Sequence, residues 1–205
     1  MKSKKLKILA AGDFHGNDLV SKELAKKAEK EKADLVVIAG DILDFGEYAK
    51  NMIMPFVERK ETVLFIPGNH DTEEAVEGFV NNYKVKNLDG SYFAVGDIGF
   101  FGCGGSTMHG FPHYVNEDEI YNRLKAGHEK IKSKKKKVMV THMHPASSII
   151  EKFSYPGSSS IKKAIEKFKP DVHICGHIHE LEGVEEKIGK TKVFSVGKRG
   201  TVIEV

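Results

Sequence analysis

Along this chain, short apolar runs alternate with segments whose apolar residues recur at helical spacing, and several of the runs end abruptly in Asp, His or Asn. The runs predict strands over residues 7–11, 35–39, 62–67, 92–95, 98–101, 138–141, 172–175, 192–196 and 201–205. Between them the spacing predicts helices over 19–32, 47–58, 73–82, 117–132 and 160–168. In the last helix Ile161, Ala164, Ile165 and Phe168 share one apolar face, and the serines at 158–160 are candidate caps.

The first three strands are nearly all-apolar, as in a parallel sheet covered on both faces. Gly96-Asp97 and Gly189-Lys190 lie between strand-like runs as two-residue hairpin turns do, which brings antiparallel pairing into the second half. Strands joined by crossover helices and finished by hairpins predict an α/β fold (α+β in some schemes): two mixed sheets packed together with helices outside, four layers in all. No repeat, low-complexity tract or linker divides the sequence, so one domain over 1–205 is expected.

Composition adds limits. At 205 residues, 40% of them hydrophobic, the chain can bury a core without disulfides. The 32 basic side chains nearly balance the 29 acidic ones for a net charge of +3. Arginine occurs only at Arg59, Arg123 and Arg199, whereas nucleic-acid and bidentate phosphate readers usually favour it. The lysine run 134–137 reads first as a solvated helix-to-strand junction. No apolar stretch approaches the roughly 18–20 residues of a membrane span, and the basic start lacks the apolar region of a signal peptide. Cys103 and Cys175 form no CxxC pair and read as buried thiols, so a cytoplasmic location is expected.

Ten histidines change the picture, because many stand beside Gly, Asp or Asn at strand ends. Gly12 leads into Asp13 and His15, Gly40 into Asp41 and Asp44, and Gly68 into Asn69, His70 and Asp71. Thr141 leads into His142, and Gly176 into His177 and His179. In open α/β sheets, ligands bind just beyond the carboxyl ends of the strands, so five such ends deliver a convergent site. Carboxylate, imidazole and amide oxygen are donors for hard to borderline divalent metals. The seven candidates Asp13, His15, Asp41, Asn69, His142, His177 and His179 exceed the needs of one ion and suit two ions sharing a bridging carboxylate. Residues two apart in an extended segment face one side, so Asp13 and His15 are expected to reach one ion together. The glycine before the ligands is expected to supply the sharp turn. Taken singly, most clusters read as an ordinary turn or a core histidine; their ordered recurrence is what points to metal.

This ordered pattern (D-x-H, G-D-x-x-D, G-N-H-D/E, a lone H, then G-H-x-H) resembles the calcineurin-like metallophosphoesterases, and it is met over residues 12–179. The resemblance implies a sandwich of two mixed sheets flanked by helices, with two divalent ions as cofactors. Manganese is the first expectation, with iron, nickel, cobalt or zinc as alternatives. The resemblance places Asp13, His15 and His179 on the first ion, Asn69, His142 and His177 on the second, and Asp41 between them. It implies that a metal-bridging hydroxide attacks phosphorus in line while His70 assists the leaving group. Asp44 would accept a hydrogen bond from His70; alone, Asp44 also reads as a helix N-cap ahead of 45–57.

Departures from the family pattern narrow the substrate. Phe45 follows Asp44 where the Ser/Thr protein phosphatases carry Arg, and the length leaves no room for the capping domain of the repair nucleases. The expectation is a phosphodiesterase acting on a small phosphoester. A phosphomonoesterase, an endonuclease or a non-catalytic metal-binding scaffold are the alternatives; nucleic acid is not favoured and no membrane partner is expected. The loop 104–114 is the expected substrate side, where His109 and His113 either reach a phosphate or are simply exposed. His144 is expected to support the site from behind or to face solvent, and His128 and His173 receive no role.

Overall fold

The chain adopts the predicted alternation in a computed structural model that describes residues 5–45, 52–83 and 85–205. Its first half contains β1 (Lys7–Ala11), α1 (Asp18–Glu31), β2 (Leu35–Ala39), α2 (Met54–Glu58), β3 (Val63–Ile66), α3 (Glu73–Tyr83), β4 (Lys86–Asn87) and β5 (Tyr92–Val95). Then follow β6 (Ile98–Cys103), α4 (Glu117–Ile131), β7 (Lys136–Thr141), α5 (Ile149–Phe153), α6 (Ser159–Phe168) and β8 (Val172–Cys175). The last strands are β9 (Glu185–Ile188), β10 (Thr191–Ser195) and β11 (Thr201–Glu204).

One sheet has the order β11-β1-β2-β3-β4 and the other β5-β6-β7-β8-β10-β9. The three apolar strands β1, β2 and β3 are parallel, with Leu9 opposite Val36 and Val36 opposite Val63. The expected turns close antiparallel pairs, β5 with β6 and β9 with β10.

The two-residue period of the strands builds the layers. Leu35, Val37 and Ala39 of β2, with Ile8, Ala10, Leu64 and Ile66 beside them, pack against Phe100, Val138, Val140 and Ile174 of the other sheet. Val36 and Ile38 point the opposite way, into a cluster with Leu24, Ala28, Phe56 and Phe79 from the helices. On the far side, Phe101 and Met139 are covered by Leu124 and Ile131 of α4 and by Ile161 and Ile165 of α6. Fully burying one such side chain contributes about 1.5–3 kcal/mol, and strands covered on both faces gain it at nearly every position.

Side chains set the helix starts. Asn17 accepts from the Leu19 and Val20 N–H groups, Asn116 and Glu119 form a reciprocal capping box, and Ser158 caps α6. Of the helix predicted over 47–58, the part from 54 to 58 is α2, and residues 46–51 lie outside the described ones. The short α5 and the two-residue β4 were not predicted, because neither is long enough to show a period. Among the described residues no helix is long and apolar enough to cross a membrane. Cys103 and Cys175 are both buried and unpaired with each other.

The lysine run does join α4 to β7. Lys134 donates to the Gly96 carbonyl at 2.8 Å, Lys135 to Asp97 at 2.6 Å and Lys136 to Asp171 at 2.7 Å. Lys135 and Lys136, with Gly96, Asp97 and Asp171, border a cleft of about 820 Å³ at the amino ends of the strands, opposite the edge described next.

Candidate metal centre

Strands β1, β2 and β3 of one sheet and β7 and β8 of the other end on the same edge, and the residues just beyond them converge there. Asp13, His15 and His179 bring one donor atom each to within 4.8 Å of one another, and Asp41, His142 and His177 do the same. In the first group, His15 Nε2 lies 3.0 Å from His179 Nε2, and His179 Nε2 lies 3.9 Å from Asp13 Oδ1. In the second, His142 Nε2 lies 2.9 Å from Asn69 Oδ1, 3.1 Å from His177 Nδ1 and 3.3 Å from Asp41 Oδ2. Asp41 Oδ2 is also 3.6 Å from His15 Nε2, so this carboxylate stands between the groups. All seven residues singled out from the sequence are thus gathered at one place.

The backbone brings them there by a route other than the expected one. Asp13 and His15 do not lie on an extended segment: their φ angles are 57° and 49°, in the left-handed region. Asp41 (49°) and His177 (75°) share that conformation, which costs roughly 1–3 kcal/mol at each non-glycine residue. The turning is therefore done largely by the candidate ligands themselves. Gly40, with φ of 92°, shares in the turn as expected, and Gly40 and Gly68 also serve close approach. A Cβ on Gly40 would sit 2.5 Å from His142 Nδ1, and one on Gly68 would run into the Asp41 carboxylate.

The donor set fits divalent cations. The His142 ring donates through Nδ1 to the Ala39 carbonyl at 2.8 Å, the usual second bond of a ligating histidine. Around its other nitrogen, Nε2, stand Asn69 Oδ1, Asp41 Oδ2 and Nδ1 of His177. Acceptor oxygens converging on one ring nitrogen call for a positive charge at their centre, which a proton on His142 or a bound cation supplies.

The titration directions show the same demand for positive charge. Burial pushes the Asp13 carboxyl up to about 7, with His142 pulling against it. Burial would also raise Asp41, but the charge and hydrogen bonding of His142 and the backbone N–H of His70 outweigh it and hold Asp41 below its usual value. For His142, burial favours the neutral ring, yet the Asp41 carboxylate lifts it to about 9. Burial, then His142, drives His177 down to about 3, and burial lowers His15 and His179 as well. Among the described residues Asp13 and Asp41 form ion pairs only with histidines.

His70 stands at the rim. Its backbone N–H donates to Asp41 Oδ1 at 2.9 Å, and its Nδ1 donates to Asp44 Oδ1 at 2.9 Å. As for Asp44 as an N-cap, α2 begins at Met54 with Ile53 at its N-cap position, and the start of the predicted helix falls outside the described residues.

Behind them, Asp71 is fully buried and accepts from the N–H groups of Gly68 (2.8 Å), Leu43 (2.8 Å) and Ile42 (3.2 Å), tying the β2 and β3 exits together. Burial, then the Asp41 charge, raises its carboxyl to about 6. Sequence reasoning gave Asp71 no role, although its place in Gly68-Asn69-His70-Asp71 was a signal.

The remaining histidines stay outside the cluster. His109 stacks on Tyr114 at 4.4 Å. His113 is not an exposed loop residue but sits 3.5 Å from the Asp89 carboxylate, which Arg123 holds at 2.7 Å. His144 does not face solvent: it is buried, with Nε2 donating to the Tyr155 carbonyl at 3.0 Å. His128 stacks on Phe168, and buried His173 bonds Thr141 at 2.7 Å.

Two packed mixed sheets with carboxylate, imidazole and amide donors at a shared carboxyl edge define a class, the metal-dependent phosphoesterases. The family model for calcineurin-like phosphoesterase matches residues 6–181, and the chain belongs to that family. The family is dinuclear-metal-dependent. An uncharacterized protein of Methanocaldococcus jannaschii, MJ1162, is 34% identical over 203 residues, covering 94% of this chain and 88% of its own length. The crystal structure of TT1561 of Thermus thermophilus superposes with a TM-score of 0.78 at 16% identity, covering 98% of this chain and 99% of that one. A novel archaeal phosphodiesterase superposes with a TM-score of 0.55 at 16% identity, covering 97% and 99%. At such identities the two structures show the shared fold.

Proposed function

We propose that this chain hydrolyses a small phosphodiester with two divalent ions, manganese first among them, held by Asp13, His15, Asp41, Asn69, His142, His177 and His179. The observation that carries the reading is the convergence of Asn69 Oδ1, Asp41 Oδ2 and His177 Nδ1 on His142 Nε2 while its other nitrogen is committed to the Ala39 carbonyl. When bound, two such cations neutralise the phosphoryl oxygens and supply an activated water at neutral pH. The chain supplies the rest. Asp41 lies within reach of both donor groups, and its hydrogen bond from the His70 backbone fixes His70 against the same centre. With Nδ1 turned to Asp44, His70 presents Nε2 to the scissile ester and can give a proton to the departing oxygen.

A diester is favoured because the groups beside His70 among the described residues include the rings of His15, Phe45 and Phe111 and the Asp44 carboxylate, with no guanidinium fork for the extra charge of a monoester dianion. The buried free thiols suit a reducing compartment such as the cytoplasm, and we read residues 1–205 as one working domain.

The test strips the protein with a chelator, restores one metal at a time, and follows hydrolysis of bis-p-nitrophenyl and p-nitrophenyl phosphate. Metal-dependent turnover with the diester preferred is expected. Turnover of the monoester alone would reassign it as a phosphomonoesterase. No turnover with any metal would return the scaffold reading.

A further inference from the structure

Phe45 is 54% exposed, and its backbone φ of 54° is left-handed, a real outlier for a bulky side chain. Burial gains little there, so the position calls for another reason. The Phe45 ring centroid lies 4.3 Å from that of His70 and 5.6 Å from that of Phe111, and the two phenyl planes are 28° apart. Phe111 in turn lies 5.0 Å from His70.

The two phenylalanines come from different parts of the chain. Phe45 follows Asp44 beyond β2, whereas Phe111 is carried by the loop between β6 and α4. That loop is held firmly. Gly104 N–H donates to Asp89 Oδ1 at 2.9 Å, Gly105 N–H to the Pro67 carbonyl at 2.9 Å, and His113 N–H to the Asn69 carbonyl at 3.2 Å. Phe111 is therefore tied to the same strand exit that carries Asn69 and His70.

We propose that Phe45 and Phe111 form an aromatic platform beside His70 that stacks a planar ring on the leaving alcohol of the substrate, which makes a nucleoside phosphoester the fitting substrate class. The inference rests on the phosphoesterase reading: His70 faces the departing oxygen, so what that oxygen carries lies over the rings packed on His70. Phenylalanine offers a π face and no hydrogen bond, so the platform accepts any base and does not read its identity.

Calorimetric titration of the manganese-loaded protein with adenosine 5′-monophosphate, ribose 5-phosphate and inorganic phosphate tests this. Adenosine monophosphate should bind about fivefold or more tighter than ribose 5-phosphate, the lower range of what stacking one base supplies. Phe45→Leu and Phe111→Leu keep apolar bulk but lose the π face, and should bring that ratio close to one. Phe45→Tyr and Phe111→Tyr should restore it. Equal affinities in the parent protein, or a ratio that survives both leucine variants, would overturn the platform and leave the phosphoesterase reading standing. Failure of all three compounds to bind would overturn the platform, while the phosphoesterase reading would stand or fall separately on the metal-dependent hydrolysis described above.

Discussion

The two ends of the same strands put the same kinds of side chain to opposite uses. At the amino ends Lys5, Lys135 and Lys136 meet Glu204, Asp97 and Asp171 at 3.4, 2.6 and 2.7 Å, in the open. At the carboxyl ends Asp13 and Asp41 are 1% and 2% exposed, sit on left-handed backbone and have histidines as their only ion-pair partners among the described residues. Exposed lysine pairs are worth about 0–1 kcal/mol each and need no further explanation. Buried carboxylates without lysine or arginine are costly, and a fold retains them where another positive charge is to be met. The acids that pair with no lysine or arginine mark the working edge more clearly than the cleft at the amino ends does.

Substitutions can break this contrast or sharpen it. The largest effect is expected for His70→Ala, which should lower kcat about 10²–10⁴-fold with metal content unchanged; undiminished turnover would remove His70 from the chemistry. Asp71→Ala strands three buried N–H groups and should cost roughly 3 kcal/mol or more in urea unfolding, at about 1 kcal/mol or more for each. A loss too small to measure would mean the two strand exits are held by other contacts.

Asp89 is the intermediate case, a part-buried carboxylate that does have an arginine. Burial would raise it, but the hydrogen bond from His113 and the Arg123 charge outweigh burial and leave it below its ordinary value of 3.8. Its folded form thus holds the proton less tightly than the unfolded chain. The stability it adds is complete above 3.8 and is lost as pH falls through the lower folded value. The gap in Tm between the parent and Asp89→Asn should accordingly narrow as the solution is acidified through that window. A gap independent of pH would show the pairing to be energetically idle. Smallest of all, Lys136→Ala should change stability by at most about 1 kcal/mol, and less at high salt. A larger loss would make the amino edge more than a solvated surface.

How much was legible in the sequence follows from these physical differences. The strands β1, β2 and β3 could be read because burial on both faces demands uninterrupted apolar runs, and the hairpins because Gly-Asp and Gly-Lys suit tight turns. The donor clusters were legible because each is contiguous and follows a strand. The way Asp13 and His15 meet was nonetheless misread, since the strand stops at Ala11 and left-handed backbone takes over. The pairing of Phe45 with Phe111 and the linkage of Asp89, His113 and Arg123 left no trace in local pattern. Phe45 and Phe111 are far apart in the chain, and Asp89 meets His113 and Arg123 only through the fold. His144 shows the same limit: its burial follows from the loop reaching Tyr155, which no spacing announces.

The central claim is that the carboxyl edge is built for two cations with Asp41 between them. Equilibrium dialysis of the chelator-stripped protein against manganese, followed by elemental analysis, measures this directly. Two ions per chain are expected in the parent protein and no more than one in Asp41→Ala. Fewer than two in the parent, or two retained without the Asp41 carboxylate, would contradict it.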